Sequence, residues 1–270
     1  MSDPKNVRHV LGISGGKDST ALAIFMRDKV PQMEYFFCDT GKELPETYEY
    51  LAQLEKYLGK IINRLNPDRT FDFWLEMNRN LLPSSQMRWC TVNLKLKPLE
   101  EFIGTDEAVN YVGIRADEAH RKGLEQKINI KSVFPFIDAG IDKAGVFKII
   151  EEAGMGLPKY YEWRTRSGCY FCFFQRKIEW VGLLERHPDL FEKAKAYEKF
   201  DAATGKRFTW SQGESLEELA RPERIAQIKA MHLKQMEKEK THAVNKPLHE
   251  VLEEVLDGQD ENLPCNICHL

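Results

Sequence analysis

Two groups of residues in this sequence have the types and spacing to do chemistry. The first is the string Ser14-Gly15-Gly16-Lys17-Asp18-Ser19, which falls between a short β-branched apolar run and an apolar helical segment. Gly15 and Gly16 permit backbone angles closed to other residues and let main-chain N–H groups approach an anion closely. The helix that follows points its partially positive N-terminus at the same spot. Lys17 adds a full charge, Ser14 and Ser19 add hydroxyl donors, and Asp18 is a candidate Mg²⁺ ligand, because Mg²⁺ at nucleotides takes one or two carboxylates besides phosphate oxygens. The bland alternative is a glycine turn whose Asp18 or Ser19 only caps a helix. Six matched residues at a strand-to-helix junction favour phosphate binding. The spacing is not that of a Walker loop.

The second group is the cysteines. Cys169 and Cys172 form one C-x-x-C, and Cys265 and Cys268 form another near the C-terminal end. Cys90 stands in Arg88-Trp89-Cys90-Thr91, and Cys38 closes an apolar strand, where it reads as a small core hydrophobe. Tyr170, Phe171, Phe173 and Phe174 around the first pair suit an iron–sulfur cluster shielded from water. Zinc would take the same ligands, and two inert buried thiols are the weaker alternative. The second pair is either functional or part of an end in which its thiols do nothing.

The surrounding chain must position these groups. Val7 to Ile13 is expected as a buried strand, Thr20 to Val30 as a helix, and Met33 to Cys38 as a second strand. Pro45 opens a helix through Leu58, and Lys60 to Leu65 follows as a third strand. Pro98 to Ile103 fits a helix and Ala108 to Ile114 a strand, while Val133 to Ile137, with Pro135 inside, fits an extended edge or loop. This alternation predicts an α/β fold with a doubly wound, mainly parallel sheet. Beyond residue 175 the pattern turns helical, at 178–186, 190–200 and 214–240. The expected domains are therefore 1–175 and a helical region 176–270.

With 39 basic and 42 acidic side chains, a formal charge of −3 carries no global nucleic-acid signal. No apolar run approaches the roughly 20 residues that span a bilayer. The N-terminal residues have no signal-peptide layout, so a cytoplasmic, reducing location is expected, with the six cysteines serving as ligands or reactive thiols rather than disulfides.

Ser14 to Ser19 at the first βα turn resembles the PP-loop signature of ATP pyrophosphatases. Asp39-Thr40-Gly41 followed by Pro45-Glu46-Thr47 looks like the phosphoadenosine phosphosulfate (PAPS) reductase branch. Gly113-Ile114-Arg115, Pro135-Phe136-Ile137-Asp138, and Gly156 to Tyr160 leading to Cys169 and Cys172 extend the resemblance over about residues 7–175. The resemblance implies that ATP is cleaved between its α- and β-phosphates, with Lys17, Asp18 and Arg115 at the chemistry. It places Asp39, Thr40, Gly41 and Gly113 among the nucleotide contacts. It further implies a 4Fe–4S cluster on Cys90, Cys169 and Cys172. Where iron–sulfur reductases of the branch carry a Cys-Cys pair, this chain has Trp89-Cys90, so Cys265 is the candidate fourth ligand and Cys268 a mobile sulfur-handling thiol.

Within the superfamily the pattern is most similar to the ATP pyrophosphatase of DNA phosphorothioation systems, which shares the Arg-Trp-Cys-Thr string. This implies a DNA backbone phosphate as acceptor and a cysteine desulfurase as sulfur-donor partner, with a homodimer compatible. A PAPS or adenylyl-sulfate reductase competes with it, but the tail Leu263-Pro264-Cys265-Asn266-Ile267-Cys268 lacks the reductase setting. A nucleotide-sensing adaptor is the non-enzyme alternative, disfavoured by intact Lys17 and Asp18. Arg88, Lys95, Lys97, Arg121, Arg164 and Arg166 are expected at the mouth of the site, where arginine holds phosphate bidentately.

Overall fold

The computed structural model describes residues 7–65, 69–121, 128–201, 205–211 and 213–241. They fall into two compact units, one from 7–79 and 88–169, the other from 80–87 and 170–241. Against the expected boundary near 175, the division lies between Cys169 and Tyr170. It leaves Cys172 in the second unit.

The first unit opens with β1 (Arg8–Gly12), α1 (Lys17–Met26), β2 (Glu34–Cys38), α2 (Pro45–Leu58) and β3 (Ile62–Leu65). Next come α3 (Phe71–Met77), α4 (Trp89–Thr91), a π-helical stretch (Val92–Leu96) and α5 (Lys97–Ile103). β4 (Ala108–Tyr111), β5 (Ile130–Val133), α6 (Pro135–Asp138) and α7 (Lys143–Glu152) complete it. All five strands are parallel, in the order β3-β2-β1-β4-β5. Leu11, Tyr35 and Phe37 on one sheet face join the apolar sides of α1, α2 and α7, through residues such as Leu22, Leu54 and Val146, in a single core cluster. On the opposite face Phe36 meets Phe102 of α5, with ring centroids 6.0 Å apart. Helices on both faces cover the central strands, while the edge strands β3 and β5 keep exposed residues such as Asn63 and Lys131. The chain leaves β1 toward β2 and later returns to β4 on its other side. The carboxyl ends of β1 and β4 therefore flank a topological switch point, where such sheets bind ligands.

The second unit holds α8 (Lys177–Arg186), α9 (Pro188–Lys195), the antiparallel pair β6 (Lys199–Asp201) and β7 (Lys206–Phe208), α10 (Leu216–Leu219) and α11 (Pro222–Thr241). Its core is aromatic: Phe171 stacks on Trp210 at 4.9 Å, and Trp180, Phe191 and Tyr197 surround them.

Three local expectations are corrected. Val133–Ile137 is not one extended piece: β5 ends at Val133 and Pro135 starts α6, at a position where a missing N–H costs nothing. The helix expected over 190–200 stops at Lys195, and Lys199–Asp201 pairs as a strand, because a partner segment satisfies its backbone. The 214–240 segment is two helices: Ser215 and Glu218 form a reciprocal cap for α10, and Pro222 begins α11. No helix among the described residues is long and apolar enough to cross a membrane.

Candidate nucleotide-binding site

The loop between β1 and α1 is held open by its own sequence and by a distant segment. Gly15 has φ 73°, and a Cβ there would lie 2.7 Å from Thr47 Cγ2, so a side chain is excluded twice over. Gly16 is the N-cap residue of α1. Ser14 Oγ and Ser19 Oγ lie 3.1 Å apart, and the Ser14 amide donates to Ser19 Oγ at 3.1 Å. Three side chains from beyond β5 buttress the loop. Tyr160 Oη donates to the Gly15 carbonyl at 2.7 Å, Tyr161 Oη accepts the Lys17 amide at 3.1 Å, and Ser167 Oγ donates to Ser14 Oγ at 3.1 Å. Tyr160 is fully buried and the two rings stack at 4.9 Å, so this pair acts as loop support. Burial pushes both phenols upward, and they remain protonated hydrogen-bonding groups at neutral pH.

Asp18, buried at the first turn of α1, is gripped from both sides. Its Oδ2 lies 2.9 Å from Lys17 Nζ and its Oδ1 accepts Arg115 Nη1 at 2.9 Å. Arg115 follows β4 and also reaches Asp117, at 3.0 and 3.1 Å, and Glu118 at 2.9 Å. Burial works against its charge, but the hydrogen bonds to Asp117 and Asp18 outweigh burial and push the guanidinium upward. Gly113 makes this meeting sterically possible: a Cβ there would lie 3.3 Å from the Asp18 carbonyl oxygen. Glu118 also receives Arg121 Nη1 at 2.8 Å. The carboxyl ends of β1 and β4 thus present an array in which Asp18 and Arg115 are buried, Lys17 and Glu118 are half-buried and Asp117 is exposed.

The turn after β2 divides its labour. Asp39 Oδ1 accepts the Gly41 amide at 2.9 Å and Tyr48 Oη at 2.7 Å, which is the work of a turn cap. Thr40 turns instead toward sulfur. Its Oγ1 lies 3.3 Å from Cys169 Sγ and donates to Glu43 Oε1 at 3.1 Å, and the Cys169 thiol faces the same carboxyl oxygen at 3.7 Å. Burial holds the Glu43 carboxyl above the usual carboxylate range. Arg164, 1% exposed, fixes the cysteine loop by donating to the Gly168 and Cys169 carbonyls at 3.0 and 2.8 Å.

Cys90 is half-buried in α4. Cys38 is core, as its apolar strand implies: its thiol donates to the Lys95 carbonyl, and burial pushes it up to about 12. Lys97 is turned away, onto Asn93 Oδ1 at 2.7 Å and the Trp74 ring. In the second unit the Cys172 carbonyl accepts the Gln175 amide at 2.9 Å, and the neighbouring Phe171 belongs to that unit's core rather than to a collar. Cys265 and Cys268 lie outside the described residues. Among the described residues no three His, Cys, Asp or Glu side chains are gathered as a metal site. Sequence reasoning missed Glu43 and Ser167; the Glu43 signal, an acid two residues after Gly41 and before a helix-opening proline, is indistinguishable from a solvated turn acid.

Residues 8–149 match the family model described as the phosphoadenosine phosphosulfate reductase domain. An uncharacterized protein of Methanocaldococcus jannaschii is 26% identical over 197 residues, 68% of this chain and 40% of that protein. An adenosine 5′-phosphosulfate reductase of Salinibacter ruber is 26% identical over 111 residues, 41% of this chain and 44% of that protein. The chain therefore spans less than half the length of either relative. A phosphoadenylyl-sulfate reductase structure from Candida auris superposes with a TM-score of 0.46 at 15% identity, over 62% of this chain and 82% of that one.

Proposed function

Since this chain belongs to the phosphoadenosine phosphosulfate reductase domain family, we propose that it is an ATP pyrophosphatase that activates an acceptor oxygen for replacement by sulfur. The observation that carries the reading is the loop Ser14–Ser19 with Lys17 and Asp18 fixed at the N-terminus of α1 and Arg115 closing on Asp18. In the proposed step an acceptor oxygen attacks the α-phosphorus, the α–β bridging bond breaks, and pyrophosphate leaves with the bonding electrons. Charge grows on the pyrophosphate as that bond breaks. The N-terminus of α1 lies at this turn, and Lys17, held on Asp18 at 2.9 Å, would turn from it to meet that charge, where such electrostatic groups act most strongly. Both Asp18 oxygens are engaged, by Lys17 and Arg115; Asp18 would hold the Mg²⁺ of MgATP, which would supply positive charge beside the phosphates, and a cation given up by Asp18 would be free to pair with phosphate oxygens. The acceptor we propose is a DNA backbone phosphate, with a cysteine desulfurase as sulfur donor.

The donors that bear on a thiophilic metal are the thiols of Cys90 and Cys169, both half-buried, although the described residues gather no group of three His, Cys, Asp or Glu around them. Cys90, Cys169 and Cys172 would hold an iron–sulfur cluster, which supplies a redox-active, sulfur-binding centre, and Cys265 is the thiol candidate for a fourth donor.

Purified protein given ATP and Mg²⁺ tests the reading: AMP and pyrophosphate are expected, and their absence with and without DNA rejects it. The family match itself favours a second reading, reduction of an adenylyl sulfate. Sulfite release from PAPS or adenylyl sulfate, without ATP turnover, would select it.

A further inference from the structure

Three hydroxyls form a chain behind the phosphate loop. Ser19 Oγ accepts the Ser14 amide at 3.1 Å and gives its proton to the Gly16 carbonyl at 3.3 Å. With that proton committed, the 3.1 Å contact between Ser14 Oγ and Ser19 Oγ is carried by the Ser14 proton. Ser167 Oγ in turn donates to Ser14 Oγ at 3.1 Å. The protons therefore run one way, from Ser167 to Ser14 to Ser19 to the loop backbone. Ser19 and Ser167 are buried, and Ser14, half-buried, is the most accessible of the three.

The loop makes room for Ser167. Gly16 has φ −98° and ψ 170°, an extended conformation open to any residue. What a Cβ there would strike is Ser167 Oγ, at 2.8 Å. Glycine at this position therefore admits a hydroxyl that arrives from 153 positions away in the chain. Arg164 anchors the backbone just beyond it, by donating to the Gly168 and Cys169 carbonyls at 3.0 and 2.8 Å.

Phosphate oxygens accept hydrogen bonds, so a loop hydroxyl serves them only with its proton turned outward. Because Ser167 fills one lone pair of Ser14 Oγ, the Ser14 proton has two destinations, Ser19 or a phosphate. Turning it to phosphate strands nothing: Ser19 Oγ keeps the Ser14 amide and the Gly16 carbonyl. Hydrogen bonds in a one-way chain polarise one another, so the bond behind strengthens the outward one. Resting on the reading that this loop binds the pyrophosphate portion of ATP, we infer that Ser167 is a positioning residue of the phosphate site: it acts through Ser14, setting that hydroxyl as a donor to pyrophosphate.

The test is calorimetric binding of pyrophosphate with Mg²⁺ to the full chain, with ATP turnover measured beside it. Wild type is compared with Ser167→Ala, Ser167→Thr, Ser14→Ala and the double variant carrying Ser14→Ala and Ser167→Ala. Ser167→Ala is expected to weaken pyrophosphate binding about threefold to tenfold, the worth of one hydrogen bond, and to raise the KM for ATP more than it lowers kcat. Ser167→Thr keeps the hydroxyl and should stay near wild type. In the Ser14→Ala background, Ser167→Ala should cost nothing further, because the relay is already cut. A Ser167→Ala protein that binds pyrophosphate as wild type does overturns the inference. So does an additive loss in the double variant, which makes Ser167 a support independent of Ser14. A Ser167→Thr protein that melts like wild type yet binds as weakly as Ser167→Ala overturns it as well. Wild type that binds pyrophosphate but releases no AMP from ATP removes the proposed reaction and leaves this inference to stand or fall on the affinities. Wild type that binds neither pyrophosphate nor ATP removes both.

Discussion

Asp18 carries a lysine on one oxygen and an arginine on the other, so each of the three residues is held by its neighbours before any phosphate arrives. Removing a charge aimed at pyrophosphate or Mg²⁺ costs ~3 kcal/mol of barrier, about a hundredfold in rate. Lys17→Ala and Asp18→Ala are each expected to lower AMP formation by that order while their thermal melts stay near wild type; an unchanged rate in both removes the proposed chemistry from this loop. Ser14 to Ser19 were legible from sequence because a glycine pair, a lysine and two hydroxyls at a strand–helix junction form an unusual coincidence of types. The partner of Asp18 was less so: Arg115 stands 97 residues away, and its use is fixed by β4 lying beside β1. Tyr160 and Tyr161 illustrate the limit, since aromatic residues suit stacking on a base, packing a core or bracing a loop equally well until the surroundings are known.

At the scale of elements, the approach of β4 to the start of α1 depends on Gly113. Gly113→Ala places a methyl 3.3 Å from the Asp18 carbonyl oxygen and 3.4 Å from its carbon, both backbone atoms that cannot rotate aside. A loss of ~1–3 kcal/mol in stability is expected, together with a higher KM for ATP, because the strain falls on the turn that carries Asp18; equilibrium denaturation and initial rates measure the two. In the second unit Trp210 stacks on Phe171 and donates its indole N–H to the Ala194 carbonyl at 2.9 Å. Trp210→Ala should cost ~3–5 kcal/mol, visible as a lowered denaturation midpoint with the AMP yield per folded molecule unaltered. Strands and long helices were readable because their apolar periods are dictated by burial. The β6–β7 pair and α6 were not, since Lys199–Asp201 gains strand geometry only from its partner and Pro135 can stop one element or start another.

For the molecule as a whole, acid stability should show the mark of one half-buried junction. Glu214 accepts Arg224 at 2.7 and 2.9 Å and lies 2.9 Å from Lys177. The Arg224 hydrogen bond, opposed by burial and reinforced by Lys177, holds its carboxyl at about 2. A depressed carboxyl stabilises the fold fully above the ordinary carboxylate range, and the contribution fades as pH falls through that range toward about 2. Glu214→Gln should therefore lose stability at pH 7 and show a flatter decline between about pH 4.5 and 2; parallel curves for the two proteins would deny the junction that role. The two-unit division also shapes how the chain is made. Residues 80–87 belong to the second unit but precede 88–169 of the first. On a ribosome adding about 5–20 residues per second, that short piece emerges several seconds before the chain it will join. The nascent first unit must keep it as an outgoing excursion between α3 and α4, and a fragment beginning at residue 170 would be born without it.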